Sequence, residues 1–106
     1  MSKIEMFGVE MHRAIANARN IEFVMKADSQ IDKALDIAEN CRKNISDRKI
    51  RDLEKRALLL AENLLKTRNE MLSDPIFDDI REKYYEHGLI CSSLIESYRE
   101  ELSMYE

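Results

Sequence analysis

The stretch IRDLEKRALLLAENLLKTRNEML, Ile50 to Leu72, decides the fold class. It holds neither glycine nor proline, and Ile50, Leu53, Ala57, Leu60, Leu64, Thr67 and Met71 recur at steps of three and four, the spacing of one helical face. A second stripe, Leu58, Ala61, Leu65 and Leu72, adjoins the first. A peripheral helix of a small monomer needs only one apolar stripe. This helix is therefore either central among neighbours or shared between two subunits, and the second alternative puts Leu58 and Leu65 at a homodimer interface.

The rest of the chain extends the helical pattern. Gly8, Gly88 and Pro75 are the only glycines and proline in 106 residues, whereas sheet proteins need many turn residues. Charged residues make up 36% and hydrophobic residues 44%, the profile of amphipathic helices with solvated faces rather than of a disordered chain. A folded chain of this length buries roughly 65% of the surface exposed by its unfolded form, so neither disulfides nor metal are required. The expected fold is a single all-α domain over residues 1–106, an antiparallel bundle of four to five helices, dimeric.

The helix boundaries follow from local signals. Ile4, Phe7, Met11, Ile15, Ala18 and Ile21 form a first stripe, and a second phase runs from Val24 through Ile31, Ala34, Leu35, Ala38, Cys41 and Ile45. Ser29 in KADSQID supplies a cap between the phases, although one long helix with a local slip is also allowed. In NISDRK, Asn44 to Lys49, Asn44 closes one helix in the left-handed conformation and Ser46 or Asp47 caps the next, so the flanking helices pack antiparallel. In SDPIFDD, Asp74 is an N-cap and Pro75 takes the first helical position. Gly88 ends that helix, and Cys91, Leu94, Ile95, Tyr98, Leu102 and Tyr105 mark the last one.

Charge is unevenly spread. Net charge is −4, yet up to Ser73 the chain holds 14 basic and 12 acidic residues, and beyond it 3 basic and 9 acidic. The segment RKNISDRKIRDLEKR, residues 42–56, is the basic concentration, and Arg48, Lys49, Arg51 and Lys55 crowd the start of a helix whose dipole favours carboxylates there. Such a locally unfavourable choice marks these four as candidate partner-binding residues. The bland alternatives are a solvated face with pairs such as Asp52 to Arg56, or complementarity to Glu96, Glu100 and Glu101.

Catalytic and cofactor motifs are scarce. With two glycines the chain has no phosphate-cradling loop and no nucleophile elbow. Neither His12 nor His87 lies three residues after a glutamate, so the spacing of a carboxylate-bridged metal bundle is missing and neither metal nor cofactor is expected. Cys41 and Cys91 fall on apolar stripes without C-x-x-C spacing, which points to buried thiols in a reducing compartment. The start, MSKIEMFGVEMHRAIANARN, lacks the continuous apolar run of a signal peptide, and no 18-residue apolar run occurs, so a cytoplasmic protein without a membrane partner is expected.

The segment REKYYEHG, Arg81 to Gly88, carries a resemblance in two residues. Arg81 and His87 resemble the R-x(4 to 6)-H motif of the HEPN superfamily of small all-α domains, whose members include ribonucleases acting as dimers. The resemblance implies an Arg and a His converging across the dimer on a scissile phosphate. Read from the residues themselves, His87 sits in a last helical turn beside Gly88, and on an ideal helix it points about 120° away from Arg81. The function expected is a non-enzymatic interaction or regulatory protein binding another macromolecule through a helix face, with a protein partner and a homodimer. The alternatives are a HEPN-like dimeric ribonuclease using Arg81 and His87, and a nucleic-acid-associated accessory protein using the basic turn 42–56, which the overall acidity disfavours.

Overall fold

A computed structural model describes the backbone of residues 3–106 and the side chains of residues 18–106. Among the described residues there are three α-helices: α1 (Lys3–Arg42), α2 (Arg48–Leu72) and α3 (Arg81–Ser103), with one 3-10 turn at Pro75–Phe77. The molecule measures 67 × 21 × 16 Å. None of these helices is long and apolar enough to cross a membrane.

The helix count is lower than the sequence signals suggest. No break occurs at Ser29; α1 continues through it for 40 residues. Ser29 is exposed, while Val24, Ala27, Ile31, Ala34, Ala38 and Cys41 form one uninterrupted buried stripe, so continuous packing overrides the local cap signal. The change of phase near Val24 has a different cause. Val24 is the first buried residue among the described side chains, and Ile21 and Phe23 are still exposed. Ile4, Phe7, Met11 and Ile15 lie outside the described side chains.

The α1–α2 turn is tight and right-handed throughout. Asn44 does not adopt a left-handed conformation. The turn closes instead through i to i+3 bonds, Lys43 N–H to Asn40 O, Asn44 N–H to Cys41 O and Asp47 N–H to Asn44 O. Asp47 then caps α2, its Oδ1 accepting the Lys49 N–H at 2.9 Å. The short connection sets α2 antiparallel to α1.

At the second corner, Asp74 and Pro75 act as the sequence indicates, Asp74 Oδ1 accepting the Ile76 N–H at 3.1 Å, but the turn they start is a single 3-10 turn. Phe77, 2% exposed, turns inward to pack with Val24 and Leu72, and this packing redirects the chain before α3 can begin at Arg81. Arg81 staples the corner by donating from Nε to Leu72 O at 2.6 Å and from Nη2 to Asp74 O at 3.0 Å. Among the described residues the Leu72 carbonyl at the end of α2 has no backbone partner, whereas Asp74 O also accepts the Phe77 N–H at 3.0 Å.

Gly88 does not end a helix. It lies buried inside α3 without a positive φ, and the helix runs on to Ser103. The reason for glycine is close approach: a Cβ at this position would stand 2.4 Å from Arg68 Nη2. Helix α3 is thus one element that runs antiparallel to α2 and parallel to α1. The core that all three share contains Ile31, Leu35, Leu58, Leu65, Ile95 and Leu102.

Candidate functional site

The buried face of α2 includes two charged residues. Its stripe runs Glu54, Leu58, Ala61, Leu65, Arg68, Leu72, so Glu54 and Arg68 occupy positions that the helical period points inward. Arg68 is 1% exposed and Glu54 is fully buried. Each organises a polar cluster at one level of the bundle.

Arg68 is the hub of the first cluster. Its Nη1 donates to Asp28 Oδ1 of α1 at 2.5 Å and to His87 Nδ1 of α3 at 3.2 Å. Its Nη2 donates to Asn69 Oδ1 at 3.2 Å and to the Tyr84 carbonyl at 3.1 Å. A guanidinium only donates, so His87 Nδ1 accepts, which assigns the imidazole proton to Nε2. That nitrogen donates to Asp32 Oδ1 at 2.9 Å. Cys91, one turn beyond His87, places its Sγ 3.6 Å from the same Nε2.

Asp32 Oδ1, a His87 ring nitrogen and Cys91 Sγ all lie within 4.8 Å of one another, with Asp32 exposed, His87 partly buried and Cys91 buried. They face a cleft that Asp36, Glu39 and Ile90 also line. Burial, reinforced by the Asp32 carboxylate, raises the Cys91 thiol above its ordinary range, with Arg68 opposing. In the chain alone Cys91 is therefore a protonated thiol, not an activated nucleophile.

The second cluster surrounds Glu54, whose two carboxyl oxygens have no hydrogen-bond partner among the described residues. Burial raises its carboxyl above the ordinary range; Glu101 adds to the shift and Arg42 opposes it. Arg42 is held elsewhere, paired with Glu101 and lying 4.7 Å from the Tyr98 ring centroid. A raised folded-state value means that the folded chain binds this proton more tightly than the unfolded chain does. Stability from Glu54 is then greatest below its ordinary value of 4.5 and is lost as pH rises from there through the folded value. Glu54→Gln is expected to raise the urea midpoint at neutral pH, and the gain should fade as pH falls toward 4.5.

The residues singled out from the sequence are placed as follows. Arg48 and Lys49 are exposed at the start of α2 and form no salt bridge among the described residues. Arg51 Nη1 donates to the Ile45 and Ser46 carbonyls, each at 2.9 Å, so this cation serves the preceding turn. Lys55 pairs with Glu106. Leu58 and Leu65 are 1% and 7% exposed in the core shared with α1 and α3. Of the two α2 stripes, the one containing Leu53 and Leu60 is the more exposed, at 47% and 52%. Among the described residues Arg81 and His87 share no partner: Arg81 binds Leu72 O, Asp74 O and Asp78, and His87 binds Arg68 and Asp32.

Arg68, Asp28, Asp32 and Glu54 were not candidates from the sequence. The signal for Arg68 and Glu54 was present as charged residues filling steps of the Leu58, Ala61, Leu65, Leu72 stripe. The His87–Cys91 pair was hidden because a helix end at Gly88 separates them. Compared with protein-family models, curated proteins and solved structures, the chain matches none.

Proposed function

We propose that this chain is a non-enzymatic regulatory protein that binds a protein partner through the outer face of α2. What supports the reading is one composite surface. Lys49, Leu53, Arg56 and Leu60 recur at steps of four, three and four, one helical face, and all four are exposed. Leu53 and Leu60 are large apolar groups about half in solvent, and neither Lys49 nor Arg56 forms a salt bridge among the described residues. Leucines flanked by uncommitted cations suit an amphipathic helix with acidic residues beside its apolar stripe.

The partner is bound by apolar contact and steered by charge. Leu53→Ser with Leu60→Ser is expected to abolish capture of the partner from native lysate while lowering the thermal midpoint only modestly, since each side chain is about half in solvent. Lys49→Glu with Arg56→Glu should slow association chiefly at low salt. Retention of the same partner by both double variants would overturn the reading.

A homodimer is the form of this proposal that mass alone tests. Light scattering after gel filtration would give twice 12.5 kDa with a second copy on the face, reduced to 12.5 kDa by the leucine double change. A mass of 12.5 kDa for the unchanged chain would leave the face to a different protein.

A further inference from the structure

We propose that Asp32, His87 and Cys91 form a binding site for a divalent zinc-like metal ion, open on the cleft between α1 and α3. The residues come as a helical arrangement, not as a scatter of surface charge. His87 and Cys91 are one turn apart on α3, the spacing by which two side chains on one helical face hold the same ion. Asp32 approaches from α1, and Asp36, one turn further along α1, lines the same cleft.

The donor set and its geometry fit one metal class. A thiolate, an imidazole and a carboxylate suit zinc and cobalt(II), whereas all-oxygen ions such as magnesium and calcium do not use the sulfur. Tetrahedral zinc with its usual bond lengths places sulfur and nitrogen ligands about 3.5 Å apart; Cys91 Sγ stands 3.6 Å from His87 Nε2 and 3.9 Å from Nδ1, beside the ring, so the imidazole must turn to aim Nε2 at an ion shared with the sulfur. Asp32 Oδ1 lies 2.9 Å from Nε2, shorter than the roughly 3.4 Å of a tetrahedral edge. Asp32 is 58% exposed and can move outward by rotation about its side-chain bonds. Asp36 or water completes the shell.

The protons balance. Cys91 loses its thiol proton to solvent as sulfur takes the metal. His87 remains neutral: its proton passes from Nε2, which becomes the ligand, to Nδ1. Asp28 Oδ1 stands 3.7 Å from Nδ1 and becomes the acceptor of that proton, the outer carboxylate that orients a metal-bound imidazole. Arg68 keeps its bond to Asp28 and gives up the one to His87.

The test uses the full chain, kept reduced, with cobalt(II) as the optical probe. Stoichiometric binding should produce a thiolate-to-cobalt charge-transfer band and the strong visible absorption of tetrahedral cobalt, both removed by added zinc. Cys91→Ser should abolish the charge-transfer band, and Cys41→Ser should leave it. Asp32→Asn, which keeps the size of the side chain and an oxygen to accept from His87, should weaken cobalt binding about tenfold or more, since even outer-shell changes cost that much. Zinc should also raise the thermal midpoint of the unchanged chain and not that of Cys91→Ser. Absence of the charge-transfer band in the unchanged chain would overturn the proposal, as would a band that survives Cys91→Ser.

Discussion

Arg68→Ala is expected to destabilise the fold by about 3–5 kcal/mol, the scale set by removing one partner of a buried ion pair. The substitution leaves the Asp28 carboxylate, mostly buried at 17% exposure, and the Tyr84 carbonyl without the guanidinium that now binds both. It also opens a void at a position that is 1% exposed. Replacing both charges together, Arg68→Met with Asp28→Leu, is expected to recover most of that loss, because apolar groups of similar volume carry no desolvation penalty. Urea denaturation of the three variants against the unchanged chain checks this. A single Arg68→Ala loss below about 1 kcal/mol would mean that water satisfies these groups and that the cluster does not hold the helices in register.

Gly88→Ala is the second large effect, and its sign depends on Arg68. In the unchanged background the new Cβ would stand 2.4 Å from Arg68 Nη2. The guanidinium must shift and weaken its bonds to Tyr84 O and Asn69. A charged hydrogen bond is worth about 1.5–3 kcal/mol and the helix gains up to about 1 kcal/mol from alanine, so a net loss of about 1–2 kcal/mol is expected. In the Arg68→Ala background the obstacle is gone, and Gly88→Ala should stabilise by roughly 0.5–1 kcal/mol. A double-mutant cycle measures this reversal directly. Gly88→Ala stabilising in both backgrounds would show that glycine there has no link to Arg68.

These two residues also mark what the sequence could and could not reveal. The α2 helix, its cap at Asp47 and the short antiparallel turn before it follow from signals within a few residues of each other, and the structure has them. Gly88 is different in kind. A glycine that ends a helix and a glycine that admits a side chain from a neighbouring helix look the same along the chain, and only the contact with Arg68, twenty positions earlier, separates them. A helix that ends at Gly88 puts His87 and Cys91 on different elements and conceals their one-turn spacing. Ser29 errs the other way: its cap signal is sound locally, but the stripe from Val24 to Cys41 packs continuously along α2 and keeps α1 whole. At Asp74 and Pro75 the helix start was legible, but the length of what started was set by Phe77 reaching Val24 and Leu72.

The inward helical period also explains why Leu58 and Leu65 are inside. Of the two adjoining stripes on α2, α1 and α3 together cover the one that contains Leu58 and Leu65. The remaining stripe, with Leu53 and Leu60, carries the surplus apolar surface. Sequence periodicity reveals that there are two stripes; choosing which one faces solvent requires knowing that Glu54 and Arg68 are buried with Leu58 and Leu65, against the usual preference of charged residues for water.

The most direct test of the Arg68-centred arrangement is the protonation pattern of the His87 ring, read from long-range proton–nitrogen correlations in nitrogen-labelled protein without added metal. The guanidinium at Nδ1 and the Asp32 carboxylate at Nε2 predict a ring held in the Nε2–H form, with Nδ1 accepting a hydrogen bond. Arg68→Ala should release that preference. A His87 ring that carries its proton on Nδ1, or that averages between the two forms in the unchanged chain, would contradict the arrangement of Arg68, His87 and Asp32 from which the fold and the proposed metal site are argued.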